Sequence, residues 1–156
     1  MTASAGAAKA FSGRITQVSD GDTVWVLPDR GGPPRKLRLD GMDAPELCQP
    51  EGPAAREALA AWALRRHVEV TVWRYDDYGR GLARIRLDGQ DLGARMVREG
   101  HAWSYRYRRD PGPYLAEENE ARARQRGLFR QAAPEVPRAF RQRHGPCPMP
   151  PFRRGD

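Results

Sequence analysis

The chain has 156 residues, 39% of them hydrophobic, and 27 Lys plus Arg against 20 Asp plus Glu give a net charge of +7 and a pI near 10.1. That length supports one packed core and is too short for two full domains, and no apolar run approaches the roughly 18 to 20 residues needed to cross a bilayer. The basic balance favours polyanionic partners, nucleic acid first, although only Lys9 and Lys36 are lysines, an arginine skew that a GC-rich genome produces without functional cause.

The stretch through Phe11 has no sustained apolar segment. A soluble chain without a membrane partner is expected, secreted or periplasmic if a signal peptide has been removed and cytoplasmic otherwise. From Phe11 to Val18 and from Thr23 to Leu27, β-branched and apolar residues alternate with polar ones around Asp20-Gly21-Asp22, predicting two strands and a turn. Pro28 to Pro34 is loop chemistry, and Lys36 to Leu39 alternates again as a third strand.

Ala55, Leu59, Trp62 and Ala63 fall on one face of a predicted helix over 53–66, with Pro53 acceptable in its first turn. Strands follow over His67 to Trp73 and Gly81 to Leu87, the second ending in the turn pair Asp88-Gly89. A short helix is predicted over Leu92 to Arg98, with Gly100 at its C-terminal cap, and another over Tyr114 to Gln125. Beyond Phe129 the chain is rich in proline and arginine and reads as an extended or weakly ordered tail.

This order predicts an α+β fold, a five-stranded OB barrel with about three helices. Residues 1–10 are read as an N-terminal extension, 11–130 as the domain and 131–156 as the tail. Cys48 and Cys147 match no zinc-site spacing and leave two free thiols or one disulfide. If paired, they fasten the tail near the segment after Glu46 and point to an oxidising compartment.

Three clusters carry chemistry: Asp20-Gly21-Asp22-Thr23, Arg38 to Glu46 (RLDGMDAPE), and Asp76 to Gly81 (DDYGRG). Cleaving a phosphodiester needs a water nucleophile, stabilisation of phosphoryl charge and help for the leaving oxygen. Asp22, Asp43 and the Ala44 carbonyl offer hard oxygen ligands for Ca²⁺ or Mg²⁺. Arg38 and Arg80 can each fork onto phosphate oxygens, and Glu46, restrained by the preceding proline, can orient or deprotonate water.

In the order and type of these clusters the chain resembles the staphylococcal nuclease family over roughly residues 11 to 129. Gly100-His101-Ala102-Trp103 before Tyr105 and Tyr107, and Gly127-Leu128-Phe129 after the last helix, support the likeness. The resemblance implies a five-stranded OB barrel, one catalytic Ca²⁺, and hydrolysis of P–O5′ bonds in DNA and RNA that leaves 3′-phosphate ends. It implies Asp22, Asp43 and the Ala44 carbonyl as metal ligands, Asp20 as their support, and Arg38, Glu46 and Arg80 as the catalytic trio. Tyr78, Tyr105 and Tyr107 resemble the aromatics of the nucleotide pocket, where stacking tolerates any base and suits single strands. A monomer with no obligatory protein partner is expected.

Three departures stand out. Ala44 replaces a threonine, Asp77 replaces a lysine near the terminal phosphate, and the segment from Leu47 to Gly52 is shorter than the family's mobile loop.

Taken singly, Asp-Gly-Asp is an ordinary turn and Asp-Ala-Pro-Glu an ordinary helix start; their combination in order carries the reading. Leu59, Trp62 and Trp73 are expected in the core, and His67, His101 and His144 as structural or solvated. The arginines of Arg138 to Arg143 and Arg153 to Arg154 are expected on a solvated tail, with a DNA contact as the minority reading. The rival functions are a noncatalytic nuclease-like module and a plain OB-fold single-strand binder; neither needs Asp22, Asp43 and Glu46.

Overall fold

The computed structural model describes residues 8–148. Five long strands form the barrel: β1 (Lys9–Val18), β2 (Thr23–Pro28), β3 (Arg35–Leu39), β5 (His67–Tyr75) and β6 (Gly81–Leu87). They are ordered β3-β2-β1-β5-β6, and a parallel pairing of β3 with β6, Leu37 to Gly81 through Leu39 to Ala83, closes the cylinder. Closure leaves these strands without a free edge. Bulges between Ile15 and Gln17 in β1 and between Val72 and Arg74 in β5 supply the local bending.

Period-two alternation fixes which side chains fill the interior. Ile15, Val24, Val26, Leu37, Val68, Val70 and Ile85 are all buried in one continuous core. The same rule corrects the expectation for Trp73. Its odd position places it with exposed His67 and Glu69, opposite Val68, Val70 and Val72, and it is 53% exposed. Leu59 is fully buried as expected, whereas Trp62 is half-buried, with the Arg95 guanidinium 4.1 Å from its ring centroid.

Helix α1 (Gly52–Ala63) buries Ala55, Leu59 and Ala63 on the core. Its first residue must be glycine for space: a Cβ on Gly52 would stand 2.0 Å from the Glu46 carbonyl oxygen. A two-residue strand β7 (Gln90–Asp91) leads into α2 (Leu92–Arg98), where the Asp91 side chain accepts the N–H groups of Gly93 and Ala94 as an N-cap. Gly100, at φ +80°, ends the helix, with His101 N–H returning to the Met96 carbonyl.

Outside the barrel, β4 (Met42–Asp43) pairs antiparallel with β8 (Trp103–Ser104). Helix α3 (Leu115–Ala123) and a 3₁₀ turn (Gly127–Arg130) bring Ala121, Leu128 and Phe129 against Trp103 in a second small cluster.

Two boundaries differ from expectation. Strand β1 begins at Lys9, inside the expected N-terminal extension, whose residues 1–7 lie outside the described residues. The stretch expected as an extended tail contains a fourth helix, α4 (Pro137–His144). Pro137 starts it, Phe140 is its buried anchor, and Cys147 is bridged to Cys48. Arg153 and Arg154 lie outside the described residues.

Candidate active site

All three sequence clusters meet in one cavity of about 220 Å³, whose walls include Asp20, Asp22, Arg38, Asp43, Ala44, Glu46 and Arg80. A larger cavity of about 820 Å³ lies elsewhere, against Phe11, Asp29, Arg30, Arg35 and Glu69; residues of all three sequence clusters line the smaller one.

The turn between β1 and β2 presents Asp22. Its N–H donates to Asp20 Oδ1 at 3.0 Å, its Oδ1 accepts the Thr23 hydroxyl at 3.2 Å, and its Oδ2 accepts the Ala44 N–H at 3.3 Å. That last bond ties the first cluster to the second. Asp43 is fixed by the ladder pairing of β4 with β8, Asp43 opposite Trp103. Glu118, buried beneath β8, accepts the Ser104 N–H at 3.1 Å and so steadies the strand that steadies Asp43.

Crowding of like charge shows in the acidities. Burial and the Asp22 charge push the Asp20 carboxyl up to about 7. Burial and Asp22 also raise Asp43 to about 6, against the opposing pull of Arg38.

Arg38 leaves β3 with its guanidinium 3.4 Å from Asp43 Oδ1 and 3.7 Å from Asp22 Oδ2. Burial disfavours its charge, but the Asp22 and Asp43 carboxylates more than offset that and hold its pKa above the ordinary value. Arg80 is set by the turn before β6. Asp76 Oδ1 accepts the N–H groups of Tyr78 and Arg80, and Asp76 Oδ2 accepts Arg80 Nε–H at 2.7 Å. A terminal nitrogen of Arg80 reaches Thr23 Oγ1 at 3.5 Å, joining the third cluster to the first.

The tyrosines divide. Tyr105 lines the cavity, with the Arg38 guanidinium 5.7 Å from its ring centroid. Tyr78, 83% exposed, does not line the cavity but lies beside Arg80, whose guanidinium is 5.6 Å from its ring centroid. Tyr107 is not among the cavity's walls; it bridges to Asp110 and carries Arg108 over its ring.

Glu46 sits on the turn between Asp43 and α1. Burial raises its pKa, with Arg141 acting against the rise and Asp22 adding to it. Two partners of this turn were not singled out from the sequence. Gln49, buried, accepts the Glu46 N–H through Oε1 at 3.0 Å and donates Nε2–H to the Glu135 carbonyl at 2.6 Å. Arg141, expected as a solvated tail residue, places its Nε 3.1 Å from Glu46 Oε1. No local signal marks the two contacts to the tail, since Glu135 and Arg141 are some 90 residues along the chain from the turn they touch.

Among the described residues no three carboxylate, imidazole or thiol side chains form a complete metal cage. The donor chemistry nevertheless fits one hard cation. Asp22 and Asp43 share a cavity with Asp20, and burial together with the Asp22 charge raises the Asp20 and Asp43 carboxyls, a rise that a bound cation would oppose.

The sequence profile described as Staphylococcal nuclease homologue matches residues 36–131. The chain is 38% identical over 134 residues to a protein named "Uncharacterized endonuclease" of Escherichia coli O157:H7, covering 84% of this chain and 85% of that one. It is 35% identical over 143 residues to a "Micrococcal nuclease" of Shigella flexneri, covering 85% and 81%. "Protein ParB" of Escherichia coli is 38% identical over 129 residues, 75% of this chain and 71% of that protein. With the profile matching residues 36–131 and these relatives covering 75% to 85% of the chain, the chain belongs to the staphylococcal nuclease homologue family.

Proposed function

We propose that the chain is a Ca²⁺-dependent phosphodiesterase that hydrolyses DNA and RNA with little sequence preference and leaves 3′-phosphate ends. The observation that carries this reading is the convergence of Arg38, Glu46 and Arg80 with Asp22 and Asp43 on one small polar cavity. The printed names of relatives, endonuclease and micrococcal nuclease, support the same reaction class.

Each side chain has a task that its surroundings suit. Arg38 and Arg80 are held by carboxylates and point terminal nitrogens at the cavity, where they stabilise charge building on phosphoryl oxygens. Glu46, its pKa above the ordinary carboxylate value, accepts a proton from water or orients that water for attack in line with the leaving 5′ oxygen. Tyr105 and Tyr78 offer ring faces to neighbouring bases, which favours single strands. Asp22, Asp43 and the Ala44 carbonyl would hold Ca²⁺, which supplies Lewis-acid polarisation of the scissile phosphate.

The test is cleavage of denatured DNA and of RNA by purified protein with Ca²⁺, with Mg²⁺ and with excess chelator, alongside Glu46→Gln. Ca²⁺-dependent release of 3′-phosphate ends, lost with chelator and crippled by the substitution, is the expected result. Binding without cleavage under every condition overturns the reading in favour of a noncatalytic module.

A further inference from the structure

The tail folds back onto the candidate active site. Arg141 projects from α4 to within 3.1 Å of Glu46 Oε1 and lines the cavity shared by Asp22, Arg38 and Arg80. Three attachments hold α4 there. Phe140 is buried, Gln49 Nε2 donates to the Glu135 carbonyl just before the helix, and Cys147 is joined to Cys48, two residues past Glu46. Glu46 is thus held at two points: Gln49, itself bonded to the tail through Glu135, accepts its backbone N–H, and Arg141 pairs with its carboxylate.

The ion pair is poorly suited to stabilising the fold. The Arg141 side chain is 53% exposed, and pairs in that setting contribute little to stability. What it does supply is orientation. A glutamate side chain turns about three bonds, and a general base displaced by about 1 Å loses rate on the order of 10²-fold.

We propose that Arg141 is a positioning residue for Glu46, and that the Cys48–Cys147 bridge keeps it in place. This rests on the reading that Glu46 acts on the attacking water. The bridge is the shortest covalent route between the glutamate and the arginine, spanning a sequence separation of 99 residues. Without it the helix is retained by buried Pro137 and Phe140 and a few polar contacts.

The experiment uses the full chain on denatured DNA with Ca²⁺, comparing Arg141→Ala, Arg141→Lys, Cys48→Ser/Cys147→Ser, and Arg141→Ala combined with the two serines. Expected is a fall in kcat of about 10- to 100-fold for Arg141→Ala with KM changed less than about threefold, and partial recovery with lysine. The bridge-free variant falls by a similar factor, and the combined variant falls no further, because both changes remove one contact. Melting curves for each variant show that the loss is measured on folded protein. A rise in KM at constant kcat overturns the proposal in favour of a substrate-phosphate ligand, and a rise in rate overturns it in favour of a blocking latch. Multiplying effects overturn the part assigned to the bridge.

A second measurement does not need turnover. In protein carrying ¹³C at glutamate carboxyl carbons, the Glu46 signal, identified by its absence in Glu46→Gln, moves in both Arg141→Ala and the bridge-free variant. An unmoved signal overturns the pairing even if the enzyme is active. A parent protein that cleaves nothing overturns the proposed function and leaves the pairing to be decided by this signal.

Discussion

Burial of Asp20 and Asp43 beside the Asp22 charge should make stability fall as pH rises when no cation is bound. Asp20 has a folded-state pKa near 7 and Asp43 near 6, both above the 3.8 of an unperturbed aspartate. A raised pKa means the folded protein binds protons more tightly than the unfolded chain. Its contribution is therefore fully present below about pH 4 and is lost as pH climbs through the folded values. Between pH 5 and pH 8 only the upper part of the Asp20 shift is lost, on the order of 3 kcal/mol. Asp43 adds less than its own shift suggests, because, beyond burial, part of each shift comes from the same Asp22 charge. At 2 to 4 °C per kcal/mol for a chain of this size, metal-free protein should melt about 10 °C lower at pH 8 than at pH 5.

His101 acts in the opposite sense. Burial lowers its pKa, so its contribution is present at high pH and lost on acidification. Asp20→Asn isolates the two by removing most of the decline while leaving the His101 effect. The assay is thermal melting in chelator and in Ca²⁺ across pH 5 to 8. Saturating Ca²⁺ should stabilise the protein most at pH 8, by about 3 kcal/mol at a hundredfold excess over Kd, read as a higher melting temperature, and Asp22→Asn or Asp43→Asn should abolish that gain. A metal-free melting temperature that is flat or rising over this range refutes the crowding. A falling one with no response to Ca²⁺ leaves the crowding intact and refutes Ca²⁺ as the resident ion.

Substituting Glu46→Gln or Arg80→Ala should lower turnover by about 10² to 10³ in a nuclease assay with little change in melting temperature; turnover within a fewfold of the parent contradicts their assignment. Glu118→Ala leaves the buried Ser104 N–H unpaired and frees Arg106 and Arg122. It should cost about 2 to 4 kcal/mol by denaturant unfolding, with Glu118→Gln milder because an acceptor remains. Breaking the Cys48–Cys147 bridge releases a long loop in the unfolded chain. The chain-entropy limit is near 4.7 kcal/mol for about 100 residues, partly offset by fraying of the freed tail, so the melting temperature should fall by about 10 °C, and a change under about 2 °C would contradict it.

How much of this was legible in the sequence follows from how far each signal travels along the chain. The barrel strands announce themselves within five to ten residues through alternation, and α2 through its cap residues, so these elements stand where the pattern puts them. The three clusters are legible for a related reason. Each contains a tight turn and side chains that bond within their own segment, as Asp76 does with Tyr78 and Arg80. Trp73 was misplaced by giving hydrophobicity precedence over parity, although the valines on either side already showed which face was inward. The tail is a different case. Helix α4 is mostly charged and polar, and its one buried aromatic gives no helical period to detect. What folds it is a set of contacts to residues 46–49, reached across 86 to 99 positions of chain. A window of sequence therefore reads it as solvated arginine-rich tail. Closing a loop of that length costs conformational entropy that a few polar contacts barely repay, and the covalent bridge removes most of that cost. The cysteine pair was thus the one sequence feature able to reveal that the tail returns to the site, and Arg141 becomes visible only once that return is granted.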